Sequence, residues 1–227
     1  MFVVIKVINW VLKFLYDLLY HQFAWFYDVV AAVVSLRRWN TWVHQALPFI
    51  NRERILEIGF GPGHLLYSAL LQQKNIIGID ESKQMVRRAY NSISTIVKYP
   101  PLVRGNILAL PFPNQYFDQV VSTFPSEFIF NKTAVAEIYR VLSPGGQVII
   151  LPFAWITGKL WYERILSLLI DIDILIRSWP EKFCSGIIQQ GFELSIQKII
   201  DDKSVMIFVI ATKPEKVYNN RLETLIC

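Results

Sequence analysis

Glu57, Gly59, Gly61, Gly63 and Asp80 are the residues of this chain whose types and spacing could do chemistry together. Glu57 lies in the apolar run Ile55-Leu56-Glu57-Ile58, after which glycine recurs at every second position. Glycine reaches backbone angles closed to other residues and brings bare N–H groups against a ligand. Pro62 suits the first turn of a helix, and Leu65, Leu66, Ala69 and Leu70 follow at helical spacing. A strand, a glycine turn and a helix in this order form a site for a nucleotide-type cofactor. A second apolar run, Ile76-Ile77-Gly78-Ile79-Asp80, ends in a carboxylate. An acid about 20 residues past such a loop is placed to accept hydrogen bonds from ribose hydroxyls. A strand-end Asp also caps a following helix, here one beginning near Ser82. The pairing with the loop favours ribose.

The loop is not a dinucleotide fingerprint of the form Gly-x-Gly-x-x-Gly, whose last glycine would fall at His64. No Gly-Lys-Ser/Thr follows, so it is not a P-loop either. His64 reads as a surface histidine.

Four segments share an order and spacing: Leu56-Glu57-Ile58-Gly59-Phe60-Gly61-Pro62-Gly63, Gly78-Ile79-Asp80-Glu81-Ser82, Gly105-Asn106-Ile107-Leu108-Ala109-Leu110-Pro111-Phe112, and Glu137-Ile138-Tyr139-Arg140-Val141-Leu142-Ser143-Pro144-Gly145-Gly146. Together they resemble the class I S-adenosylmethionine-dependent methyltransferases over residues 50–213. The last two are closest in wording to the quinone-biosynthesis and phospholipid methyltransferase branch. The resemblance implies roles. Glu57 would sit near the methionine amino group of S-adenosylmethionine, and Gly59, Gly61 and Gly63 would face its methionine and ribose parts. Asp80 would hold the ribose, with Glu81 beside the adenine and Asn106 and Ile107 at the adenine edge. The family usually has Asp where this chain has Asn106, whose carbonyl can still accept a hydrogen bond but carries no charge.

Strand runs alternate with helical runs from residue 54 onward, which argues for a parallel sheet covered on both faces. Strands are expected at 54–58, 76–80, 102–105, 117–122 and 147–151, then a hairpin of 193–200 and 204–212 about Asp201-Asp202-Lys203. The fold expected is α/β, a Rossmann-like, doubly wound, mostly parallel seven-stranded sheet. It has an antiparallel C-terminal hairpin strand and extra N-terminal helices. Residues 1–46 would form the N-terminal apolar helices, 47–213 the methyltransferase domain and 214–227 a tail.

Hydrophobic residues make up 53% of the chain and charged residues 18%, so apolar surface must be buried in a large core, a partner or a membrane. The net charge of +5 is scattered, without a basic run interleaved with stacking aromatics, and no nucleic-acid partner is expected. Cys184, Cys227 and three separate histidines form no metal-ligand spacing, so no metal site is expected. The cysteine usage fits a reducing, cytoplasmic setting.

The N-terminal stretch is interrupted by Lys6, Lys13 and Asp17, which breaks any membrane-spanning run of ~18 uncharged apolar residues. On a helical wheel Lys6, Asn9, Lys13, Asp17 and His21 share one narrow arc. Two readings stay open for residues 1–22: a helix lying in a membrane interface on the inner face, or one packed on its own domain or a partner. Residues 159–177 repeat the pattern, with Lys159, Glu163, Ser167 and Asp171 every four residues.

A methyl acceptor that is an amine needs little acid–base help, whereas carbon or hydroxyl acceptors need a base. His21, Tyr27 and Glu127 are the candidates. Tyr27-Asp28 resembles a pair found near the N-terminus of this branch, and Glu127 follows the fourth strand, where α/β sheets place ligands. The expected substrate is an apolar or amphipathic small molecule, a lipid head group or a quinone precursor. The alternative is a non-catalytic binding protein on the same fold.

Overall fold

The computed structural model describes residues 38–125, 127–157, 184–201 and 203–215. Helix α1 (Trp39–His44) is followed by a 3-10 turn (Leu47–Phe49) and strand β1 (Ile55–Ile58). Then come α2 (His64–Leu71), β2 (Ile76–Asp80), α3 (Lys83–Ile93), β3 (Leu102–Arg104) and β4 (Phe117–Thr123). α4 (Lys132–Val141), β5 (Leu142–Ile156), β6 (Glu193–Asp201) and β7 (Ser204–Thr212) complete the fold. The seven strands form one sheet in the order β3-β2-β1-β4-β5-β7-β6. The first five in sequence pair in parallel, while β7 runs antiparallel to both β5 and β6. The expected doubly wound α/β sheet with its antiparallel hairpin is the fold observed.

Side-chain alternation along the central strands sorts the core into two layers. On one face Val120, Ile150 and Val209 pack with Ala134, Val135 and Ile138 of α4. On the other, Val121, Ile149 and Phe208 pack with Leu65 and Leu66 of α2 and Ala89 and Ile93 of α3. Trp42, Val43 and Ala46 join this second layer, so the segment around α1 is core. Gln119, fully buried in β4, anchors the turn after α1: its Nε2 donates to the Phe49 carbonyl at 2.8 Å and its Oε1 accepts from Asn51 N–H at 3.3 Å. α3 buries Met85, Ala89 and Ile93 at four-residue spacing, and Ser82 caps it by accepting from Met85 N–H at 3.3 Å.

Most strands fall within a residue of the expected boundaries, and two elements depart further. α2 starts at His64, with Gly63 as its N-cap in the left-handed region, so Pro62 lies in the turn before the helix. β5 is longer than 147–151 because it serves two partners. Its 147–151 stretch pairs with β4, and beyond a register shift its outer part, Phe153 to Ile156, continues along β7. Pro144-Gly145-Gly146, a turn signal in the sequence, lies within this strand, with Gly145 N–H donating to the Lys213 carbonyl at 2.9 Å. Residues 1–37, 158–183 and 216–227 lie outside the described residues, and with them the expected helices at 1–22 and 159–177.

Candidate functional site

The strand order reverses between β1 and β4, and in open α/β sheets ligands bind at that switch point, beyond the carboxyl ends of the strands. β1 and β2 end there side by side, with Ile58 opposite Ile79. Glu57, 1% exposed, and Asp80, 3% exposed, are therefore buried neighbours at one edge of the sheet.

Asp80 organises the turn. Its Oδ2 accepts from Gly61 N–H at 2.9 Å and its Oδ1 from Ser82 N–H at 2.8 Å. One carboxylate thus fixes both the glycine loop and the entry to α3. An ionised carboxylate has about four lone-pair directions, so two backbone bonds leave room for ribose hydroxyls. Both expected roles, helix entry and ribose, are open to the same group. Burial pushes the Asp80 carboxyl up, and the Ser82 and Gly61 N–H groups partly offset this.

Glu57 lacks such support. Its Oε2 is buried and has no hydrogen-bond partner among the described residues. Burial holds its carboxyl well above the usual range, and the charge of Asp80 adds to this. A buried acid without a donor is costly unless a ligand supplies one.

The glycines divide by what surrounds them. A Cβ on Gly59 or Gly61 would meet nothing within 4 Å, although both have positive φ, +69° and +54°. They border open space. A Cβ on Gly63 would lie 2.9 Å from Ala89 Cβ, so this glycine permits α2 and α3 to pack.

The remaining expected residues are placed as follows. Asn106 caps a 3-10 turn (Ile107–Ala109): its Oδ1 accepts from Leu108 N–H at 2.8 Å and its Nδ2 donates to Glu81 Oε1 at 3.2 Å. Its carbonyl oxygen, expected at the adenine edge, thus already has one donor and keeps one lone pair. The Glu81 carbonyl accepts from Arg104 Nε at 3.1 Å. Ile107 is buried beside these residues. Glu127 opens a 3-10 turn (Glu127–Phe130) after β4. His21 and Tyr27 lie outside the described residues. Among the described residues, no group of three or more His, Cys, Asp or Glu side chains is placed to hold a metal.

Two residues at this edge gave no signal in the sequence. Ser122, buried in β4, donates from Oγ to the Ile58 carbonyl at 2.7 Å and ties the switch point shut below the cleft. Phe124, just past β4, has φ +49° and sets its ring 4.1 Å from that of Trp39. A bulky residue in that region is strained and is held by its surroundings.

The acceptor set suits a cofactor with a cationic amine and a ribose. Glu57 offers an orphaned acceptor, Asp80 a second acid, and Gly59 and Gly61 the space between. Residues 56–150 match the family model described as a methyltransferase domain. Over that stretch the chain is similar to the class I, S-adenosylmethionine-dependent methyltransferases.

Individual proteins show the same likeness. An uncharacterized methyltransferase, YdaC of Bacillus subtilis, is 32% identical over 114 residues, 49% of this chain and 62% of that protein. The ubiquinone/menaquinone biosynthesis C-methyltransferase UbiE of Blochmanniella floridana is 29% identical over 169 residues, 70% of this chain and 65% of that protein. The chain thus spans under two thirds of the length of these curated relatives. A Haemonchus contortus phosphoethanolamine N-methyltransferase 2, solved with phosphomonomethylethanolamine and S-adenosylhomocysteine, shares the fold. It superposes with a TM-score of 0.61 at 16% identity, covering 87% of this chain and 59% of that one.

Proposed function

We propose that this protein transfers the methyl group of S-adenosylmethionine to an apolar or amphipathic small molecule, a lipid head group or a quinone precursor. The observation that carries the cofactor reading is the buried Oε2 of Glu57, without a hydrogen-bond partner among the described residues, beside open space at Gly59 and Gly61. When bound, the cofactor supplies an activated methyl group on a sulfonium. The chain's part is to bind, align and keep the site dry. Glu57 accepts from the ammonium, Asp80 accepts from ribose hydroxyls, and the Asn106–Ile107 turn borders the adenine.

The acceptor reading draws on the apolar N-terminal stretch and on the printed names of UbiE and the phosphoethanolamine enzyme. Among the described residues no helix is long and apolar enough to cross a membrane. Residues 1–22 are proposed as a peripheral contact on the inner face of the membrane. Removing residues 1–20 is expected to reduce sedimentation with anionic liposomes and leave cofactor binding intact. Equal sedimentation of both forms rejects the anchor.

Titration calorimetry with S-adenosylhomocysteine tests the cofactor site. Asp80→Ala removes the ribose acceptor and unpins Gly61, and is expected to weaken binding by about a hundredfold or more. No saturable heat with the parent protein rejects the site altogether. Tritium transfer from labelled cofactor into a lipid extract then separates an enzyme from a binding protein.

A further inference from the structure

The loop after β3 carries Asn106 and Ile107, and two residues of α4 grip it from the far side. Arg140 uses all five of its guanidinium N–H groups there. Nε donates to Glu137 Oε1 at 2.7 Å, and Nη2 donates to Glu137 Oε2 at 2.8 Å and to the Leu110 carbonyl at 2.9 Å. Nη1 donates to the Phe112 carbonyl at 2.8 Å and to Asn114 Oδ1 at 2.9 Å. Glu137 Oε2 also accepts from Leu110 N–H at 2.7 Å, and Gln115 N–H donates to the Arg140 carbonyl at 2.9 Å. Loop residues 110, 112, 114 and 115 are therefore all tied to one turn of α4.

The near end of the loop is held as well, through Asn106 to Glu81 and Leu108. The short turn between these anchors buries Ile107 and Leu110 and leaves Leu108 41% exposed. Ile107 and Leu110 pack into the core layer beside α4, so the polar grip adds to apolar packing in fixing the turn. A turn fixed at both ends meets a ligand without an ordering cost.

We infer that Glu137 and Arg140 are positioning residues for the nucleoside end of the cofactor, acting through the 106–114 loop without touching the ligand. The inference rests on the proposed reading of the cleft as an S-adenosylmethionine site. A lysine at position 140 keeps the charge but loses the planar fork that reaches two carbonyls, a side-chain amide and both Glu137 oxygens at once. Glu137→Gln keeps one carbonyl oxygen as an acceptor for Leu110 N–H or the guanidinium, so it retains part of the grip.

The test uses the full chain, with S-adenosylhomocysteine and adenosine as probes, in calorimetry well below the melting temperature. Arg140→Lys is expected to weaken both probes by the same factor, about tenfold, and Glu137→Gln by less. Hydrogen exchange at amides 107–110 and 112 of the ligand-free variants is expected to rise while the central strands stay protected. Binding of both probes within twofold of the parent, despite faster exchange in the loop, overturns the inference. So does a loss confined to S-adenosylhomocysteine, which would place the effect at the amino-acid end. If Arg140→Lys does not fold, Glu137→Gln alone decides by the same criteria. A parent protein that binds neither probe rejects the cofactor site itself.

Discussion

Glu57→Gln is expected to melt at a higher temperature than the parent at neutral pH and to bind S-adenosylhomocysteine about a hundredfold more weakly. Glu57 is 1% exposed and its Oε2 has no partner among the described residues. Burial, reinforced by Asp80, raises its carboxyl pKa well above 4.5. The native state then holds this proton more tightly than the unfolded chain does. Stability from this group is complete below the unfolded pKa and is lost as pH rises toward the raised folded value. Gln carries no such charge, so its advantage is absent near pH 4.5 and grows toward neutrality. The gain is about 1–3 kcal/mol, or several degrees for a domain of this size. Binding moves the other way. The ligand's ammonium favours the ionised acid, so parent affinity is expected to increase with pH through the same window, with release of a proton on binding. Losing one partner of a buried charge pair costs about 2–5 kcal/mol, which sets the hundredfold figure. Melting curves across pH, with calorimetry in buffers of different ionisation enthalpy, check both halves. A parent whose stability does not fall with pH relative to Glu57→Gln contradicts the argument.

The second large effect separates two glycines of one loop. Gly61→Arg is expected to fold, with a loss of about 1–2 kcal/mol for its left-handed backbone, and to give no measurable heat with S-adenosylhomocysteine. Its side chain enters the open space where a Cβ meets nothing within 4 Å. Gly63→Ala is expected to do the opposite. Its methyl would lie 2.9 Å from Ala89 Cβ and 3.3 Å from Ile93 Cδ1, and Ala89 has no rotamer with which to retreat. Overpacking together with positive φ is expected to cost about 3 kcal/mol, or roughly 10 °C in melting temperature. At 15 °C the surviving fold is expected to bind within tenfold of the parent. A reversed pattern would mean that the cleft lies on the other side of the loop.

The cofactor half of the fold was legible because its strands are short apolar runs that end in an acid or a glycine. Ile55–Ile58 and Ile76–Asp80 lie where the residue pattern puts them. β5 was legible only where it meets β4. Its outer residues, Phe153 to Ile156, look like the start of a connection until β7 arrives to pair with them. The identities of Glu57 and Asp80 could be read, but not their different states. That depends on Gly61 and Ser82 turning their N–H groups to one acid and not the other. The role of Glu137 and Arg140 cannot be read from their motif, because most of their partners are backbone atoms in a distant loop. Backbone partners leave no trace in residue identity.

The place of β7 bears on how the chain is made. It is the last of the seven strands to leave the ribosome, yet it lies between β5 and β6, with eight of its nine residues buried. Until residue 212 emerges, the nascent chain holds β5 with a bare edge and β6 with no neighbour at all. The cofactor half has its own parallel pairings and can assemble first. The unfinished half meanwhile offers open strand edges to chaperones or to another nascent chain.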